Sequence, residues 1–319
     1  MFFKKIVVVS ILFLAFEYLN AQDSTYARYI VNSLASPQFK GRGYVENGDC
    51  DAALFIEEEM KKCGLEAVSK SRLQPFTVSV NTFPGTMMVA VDSDTLVPGT
   101  DYLVDASSPS CRGSFEIIRT TRADLRNDDD LYKLLSASEN KFILIDESGD
   151  LKENKEEKEK AEGIIEAIIN QKNIPCSGII RYGQAKLTWG VSQEQRLKPC
   201  LFILKQGYKN NYHTIDINIE SRLIKKYKTA NVTGMVTGTA APDSFIVVAA
   251  HYDHLGKMGR DVYFPGANDN ASGVAMMLSL ASYFSKNKPR ISMLFIALGA
   301  EELGILGSRY YVSHPLLPL

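Results

Sequence analysis

Surplus charge is what this chain has least of. Over 319 residues, 36 Lys and Arg stand against 37 Asp and Glu, a net charge of −1 at pH 7. That balance removes the electrostatic reason to expect nucleic-acid binding or a strongly basic membrane surface. Histidine is also scarce, with four in the whole sequence, so each one found in a motif carries information. The five cysteines, Cys50, Cys63, Cys111, Cys176 and Cys200, are scattered and none sits in a C-x-x-C spacing. A structural zinc knuckle and a thioredoxin-like site are therefore not suggested. An odd count leaves at least one cysteine unpaired within the chain. Cys50 and Cys63 flank one predicted helix, but nothing in the sequence establishes a pairing, so all are read as buried or free thiols. Internal repeats and low-complexity stretches are not evident. What is present is an ordinary globular composition, 45% hydrophobic and 23% charged. It excludes wholesale disorder, and the length suggests two domains.

The first residues read as an address. Lys4 and Lys5 precede an apolar run from Ile6 to Phe16, 11 residues long, against the roughly 20 a membrane-crossing helix needs. A more polar exit, Glu17 to Ala21, completes the pattern of a secretory signal peptide, with cleavage expected after Ala21. Removal of residues 1–21 takes away Lys4, Lys5 and Glu17 and leaves a net charge of −2. No later run is long and apolar enough to anchor the chain. The expectation is an exported protein, periplasmic or extracellular, with no stable membrane anchor after cleavage.

Apolar spacing predicts helices over Ser24–Leu34 and Asp51–Cys63, the second with Ala52, Phe55, Ile56 and Met60 on one face and Gly64 as its stop. From about residue 90 to 222 the texture changes to short strands, clearest at Phe142–Ile145, Gly178–Ile180 and Leu201–Leu204. Between them the charged stretch Leu151–Lys160 leads into Ala161, Ile164, Ile165, Ile168 and Ile169, an amphipathic helix with a solvated face. The last hundred residues alternate strand and helix. Asn231–Gly238 reads as a half-exposed strand, and Phe245–Ala250 as one buried on both faces. Gly273–Phe284 is a helix, Ile291–Leu298 a second buried strand and Leu303–Val312 a second helix. That order argues for an α/β fold, a mixed, largely parallel sheet flanked by helices, with ligands gathered beyond the carboxyl ends of strands.

The polar residues fall at those strand ends. His251, Tyr252, Asp253 and His254 follow the first buried strand; Gly266 to Gly273, containing Asp269, leads into the helix; Glu301 and Glu302 follow the second strand across Gly299 and Ala300. Imidazole nitrogen and carboxylate oxygen are donors that zinc accepts. Asp253, two residues after His251, is the kind of carboxylate that orients a ligating histidine. One of the paired glutamates can hold a metal while its neighbour moves protons. Each piece alone has a plainer reading: a chance H-x-D, a helix cap at Asp269, a solvated acidic pair. Their joint placement at consecutive strand ends carries the argument.

The stretches VVAAHYDHLG, PGANDNASGVAMM and ALGAEELGILGS resemble the zinc aminopeptidases of metallopeptidase family 28, from about Asn231 to Leu319. Leu34-Ala35-Ser36 and Gly41-Arg42-Gly43 are more loosely similar to that family's amino-terminal segment. Residues 90–222 resemble a small β-rich protease-associated insert. The resemblance implies four parts: a signal peptide, 1–21; an amino-terminal segment of the peptidase domain, 22–89; the insert, 90–222; and the zinc peptidase core, 223–319. It implies that His251 binds one Zn2+, Glu302 the other and Asp269 both, that Glu301 is the general base, and that Asp253 supports His251. His254 receives no metal role from it. It also implies a cis Asp269–Asn270 peptide bond and removal of amino-terminal residues from peptide substrates by water activated between two zinc ions.

Relatives supply two further ligands, an aspartate after the next strand and a later histidine, which the sequence up to Leu319 does not contain. The expectation is therefore a truncated zinc aminopeptidase-like fold with an uncovered sheet edge or face, weak or partial zinc occupancy and impaired catalysis. His314 has no positional support as a substitute ligand. The alternatives left open are a non-catalytic fragment or binding module of the same fold, and a related zinc carboxypeptidase or glutaminyl cyclase. Asn231-Val232-Thr233 matches a glycosylation sequon, a pattern too frequent by chance to weigh.

Overall fold

The computed structural model describes residues 24–149, 153–184, 186–204 and 212–318; the signal-peptide reading, on residues 1–21, lies outside them. Ile30 and Leu34 lie one turn apart on α1 (Ser24–Leu34), and both are fully buried. They meet Ala52, Ile56 and Met60 from α2 (Gly48–Lys62). Each such aliphatic side chain contributes about 1.5–3 kcal/mol by leaving water. The chain then runs into β1 (Leu73–Thr82), β2 (Met87–Val91), β3 (Asp94–Leu96), β4 (Tyr102–Val104) and β5 (Cys111–Thr121). Two helices, α3 (Arg122–Leu125) and α4 (Asp128–Ser136), precede β6 (Phe142–Asp146). Next come α5 (Lys155–Asn170), β7 (Gly178–Gln184), β8 (Cys200–Leu204) and β9 (Thr214–Ile219). The last part holds β10 (Arg222–Val236), β11 (Ala241–His251), β12 (Gly256–Met258), β13 (Val262–Phe264), α6 (Ser272–Lys286), β14 (Ile291–Leu298) and α7 (Leu306–Ser313).

Two sheets result. Strands between Met87 and Ile219 form an eight-stranded sheet in the order β3-β2-β9-β5-β6-β7-β8-β4, parallel from β5 through β8. Its period-two alternation is plain along β6. Ile143 and Ile145 pack with Ile165 and Ile168 of α5, while Phe142 and Leu144 enter a second core with Val89, Tyr102 and Ile217. α5 opens with a capping box, Asn154 accepting from the Glu157 N–H and Glu157 from the Asn154 N–H.

The four-stranded sheet that carries the site has the order β1-β10-β14-β11. β14 is its centre and is buried along almost its whole length. α6 connects β11 to the parallel β14 and covers one face with Val274, Ala275, Met277, Leu278 and Ala281. Two features differ from the sequence reading. The sheet is mixed and flanked by helices, but β11–β14 is its only parallel pairing among the described residues; β1–β10 and β10–β14 are antiparallel. The expected double-sided burial of β11 is also not met. Among the described residues β11 pairs on one side only, and Ile246 and Val247 are half exposed at that edge. Apolar composition records that a strand favours burial; which strand stands at the rim depends on topology.

All five cysteines are free thiols. Cys50 sits against Tyr227 and Cys63 against Tyr26, at opposite ends of α2. None of the described helices is long and apolar enough to cross a membrane.

Candidate active site

Parallel pairing of β11 and β14 places His251 opposite Leu298, so both strands deliver their following turns to the same end of the sheet. His251 ends β11 with its ring mostly buried. Its Nε2 lies 3.2 Å from Asp269 Oδ1, and its Nδ1 lies 3.2 Å from the Asp253 carbonyl oxygen. Glu301 Oε2 is 3.9 Å from the same Nδ1. Asp269 reaches in from a wide turn, Ala267–Ala271, entered through Gly266 at φ 56°. The Asp269–Asn270 peptide bond is cis. Asp269 does not cap the helix that follows. Asn270 does so instead, its Oδ1 accepting the Gly273 N–H at 3.0 Å, which leaves the Asp269 carboxylate exposed and turned toward His251.

Asp253 does something the H-x-D spacing does not reveal. Its carboxylate is fully buried and stands 4.0 Å from His251 Nδ1, too far for a hydrogen bond. It accepts instead the main-chain N–H groups of Glu301 at 3.0 Å and Glu302 at 3.2 Å, and the Tyr44 hydroxyl at 3.3 Å. The turn after β11 therefore holds the turn after β14. Burial drives the Asp253 pKa upward against the two amide donors that favour its charged form. Its contact with the His251 ring comes through the main-chain carbonyl.

Residues that sequence reasoning passed over complete the site. His254 Nδ1 donates to Glu302 Oε1 at 2.7 Å, fixing one oxygen of that carboxylate. Asn231 is fully buried; its amide donates to Gln74 Oε1 and the Gly307 carbonyl and accepts the Gly299 N–H. The side chain that matched a sequon thus pins the turn before Glu301 and is inaccessible to a glycan. Arg42 lies buried beneath the Asp269 turn. Beside it, Gly43 and Gly256 touch back to back: a Cβ on Gly43 would sit 2.3 Å from the Gly256 Cα. From the eight-stranded sheet's side, Gln193 donates to the Leu303 carbonyl at 2.7 Å, and Trp189 stacks on Phe264 with centroids 4.7 Å apart. His314 stacks on Tyr310 and is not among the residues gathered here.

One donor atom each from His251, Asp269 and Glu302 lie within 4.8 Å of one another. Zinc takes imidazole and carboxylate donors at about 2.0–2.2 Å and three protein ligands in catalytic sites. The 3.2 Å separation of His251 Nε2 and Asp269 Oδ1 suits two donors on one such ion. Among the described residues, the acids here form ion pairs with histidines alone. The donor set therefore fits a divalent cation.

The sequence model of Peptidase family M28 matches residues 231–318. Residues 231–318 are thus similar to M28 peptidases. Within the chain's matches, aminopeptidase YwaD from Bacillus subtilis is 45% identical over 73 residues, 23% of this chain and 14% of that protein. A probable zinc metalloprotease from Pyricularia oryzae is 37% identical over 94 residues, 29% of this chain and 19% of that protein. The matched stretch is thus a small part of either relative. Solved structures resemble far more of the chain. A peptidase M28 precursor from Shewanella amazonensis superposes with a TM-score of 0.64 at 20% identity, covering 92% of this chain and 68% of that one. The zinc aminopeptidase BSAP from Bacillus subtilis gives 0.61 at 19% identity, covering 91% and 64%. At such identities the likeness is one of fold, and it extends through the eight-stranded sheet as well as the M28 region.

Proposed function

We propose that the protein is a zinc-dependent exopeptidase, an aminopeptidase that hydrolyses amino-terminal residues from peptides. The observation that carries this reading is the convergence of His251, Asp269 and Glu302 donors within 4.8 Å at the joined ends of β11 and β14. The M28 match and the activities for which its relatives are named support it. Zinc bound there would supply a water of lowered pKa and a polarised scissile carbonyl. His251, Asp269 and Glu302 would hold the metal. The two-ion arrangement comes from the resemblance, and the three donors gathered here are enough for one ion.

Glu301 stands beside the His251 ring with its side chain about a third exposed. It takes a proton from the attacking water and returns it to the leaving amine. The surrounding carboxylates attract the substrate's free α-ammonium group, which is what restricts attack to the amino-terminal bond. Asp253 keeps the amides of Glu301 and Glu302 in place, so the base and one metal donor are positioned by a single buried carboxylate.

The direct test is to load the full chain with zinc and compare short peptides with the same peptides blocked at the amino group. Hydrolysis of the free forms alone supports the proposal. Hydrolysis of blocked substrates alone defeats it in favour of a carboxypeptidase-like activity, cyclisation of amino-terminal glutamine favours a cyclase, and zinc uptake without turnover favours a binding module. Export belongs to the same proposal and rests on the leader pattern in residues 1–21; amino-terminal sequencing of secreted protein should begin at Gln22.

A further inference from the structure

Arg42 is fully buried, yet among the described residues no carboxylate is bonded to it. Its Nε donates to the Tyr252 carbonyl at 2.7 Å. Nη1 donates to Leu34 O at 2.7 Å and Pro265 O at 2.8 Å, and Nη2 to Gly266 O at 2.7 Å and Asp269 O at 3.4 Å. The Arg42 carbonyl in turn accepts the His254 N–H at 3.1 Å. These contacts touch every arm of the metal cluster. Tyr252 follows His251, Asp269 is itself a donor residue, and His254 bonds Glu302.

We infer that Arg42 is the positioning residue of the site, a buried clasp that fixes the Asp269 turn and the residue after His251 in the arrangement a cation requires. The part of this inference concerning zinc rests on the metal reading above; the part concerning the turns does not. A planar guanidinium presents five N–H donors in a rigid fork, and here all of them point at main-chain oxygens. Lysine offers the same charge from a single point and cannot span three segments at once. The charge has its own use. Burial lowers the Arg42 pKa to about 10, while Asp253, Asp269 and Glu302 raise it, so the group remains a cation at neutral pH behind an acid-rich cleft. It moderates repulsion among those acids without bonding their carboxylate oxygens.

The sequence around Arg42 is shaped to admit it. Arg42 adopts φ 51°, a left-handed conformation uncommon for a residue with a side chain. Gly266 leaves room where three groups converge: a Cβ there would lie 2.5 Å from Nη2 and 2.4 Å from both the Asp269 carbonyl oxygen and the His254 ring.

The test uses the full chain and two variants, Arg42→Lys and Arg42→Gln, the second keeping a planar amide donor without the charge or the fork. Amide hydrogen exchange is followed without metal over residues 251–256 and 265–271, with β14 and β6 as references, and zinc affinity is measured by chelator competition. The expected result is exchange at least tenfold faster in the two turns, unchanged protection in β14 and β6, and zinc affinity lower by about 10–100-fold. Uniform loss of protection across the molecule would make Arg42 an ordinary stabilising residue and overturn the inference. Unchanged exchange in the two turns would also overturn it. If Arg42→Lys does not fold, Arg42→Gln decides alone by the same criteria. A parent protein that takes up no zinc defeats the metal reading, and the exchange measurement still decides the role of Arg42.

Discussion

Two clusters of charge in this molecule are built on opposite rules. In the eight-stranded sheet's half, Arg122, Arg126 and Arg181 face Glu147, Glu153 and Glu162. Arg122 alone reaches all three glutamates, at 3.2, 2.9 and 2.6 Å; Arg126 pairs with Glu153, and Arg181 with Glu147 and Glu162. At the end of the four-stranded sheet, Asp253, Asp269, Glu301 and Glu302 gather with two imidazoles, and the described lysines and arginines pair with none of them. The chemistry follows the pairing. Burial raises the Glu162 pKa, but hydrogen bonds from Arg122 and Arg181 outweigh it and bring the pKa below its ordinary value. At Asp253, burial prevails and the shift is upward. A charge cluster that is internally balanced needs nothing further, whereas one left acidic is poised to take up a cation. Acidic clusters alone do not identify enzymes; the absence of matched cations and the convergence of donors separate this one from its neighbour.

The comparison can be broken in several places. The largest effect is expected from Glu301→Gln, which should lower turnover of the zinc-loaded protein by about 10²–10⁴-fold while elemental analysis finds its zinc content unchanged; turnover above a tenth of the parent's would remove Glu301 as the base. Next in size is Arg122→Met. Leaving three glutamates to two arginines uncovers one buried charge and should cost about 3–5 kcal/mol in denaturant unfolding, with zinc affinity unmoved. A variant that loses zinc as readily as stability would show the two clusters to be one system.

Zinc itself should stabilise the parent by about 2.7 kcal/mol at a free concentration 100 times its dissociation constant, reversibly with chelator. Asp269→Asn should lose most of that gain yet unfold no more readily than the parent without metal. If the metal-free variant is clearly less stable, the acid cluster is structural after all.

The smallest effect concerns Asp49, buried under the site with its Oδ1 accepting from Tyr227. Burial raises its pKa from 3.8 to about 6. The folded state therefore binds the proton more tightly than the unfolded chain, and stability declines as pH rises from about 3.8 to about 6. Asp49→Asn should recover about 1–3 kcal/mol at pH 7 and nothing below pH 4. A recovery that persists at low pH would assign it to packing.

The parts of the fold legible in the sequence are those specified by neighbours along the chain. Ile30 and Leu34 place α1 residue for residue, and the run from Ile291 to Leu298 coincides with β14. His251, Asp269, Glu301 and Glu302 were visible because each stands just beyond a strand or before a helix. What spacing hid were contacts across the chain. Asp253 was read as a partner of His251 two residues away, whereas its carboxylate serves amides 48 and 49 residues on. His254 and Arg42 find their partners 48 and 210 residues away, and no local pattern encodes such distances. The rim position of β11 was missed for the same reason.

The bare contact between Gly43 and Gly256 has a practical corollary for engineering. The stretch that sequence similarity delimits, 231–318, has no finished surface along that seam, and its clasp arrives from a segment almost two hundred residues upstream. Excised as a minimal unit, or transplanted into another scaffold, it would leave behind the guanidinium and the bare α-carbon against which its loops are moulded. Any transferable version of this site must carry the loop around residues 39–48 with it.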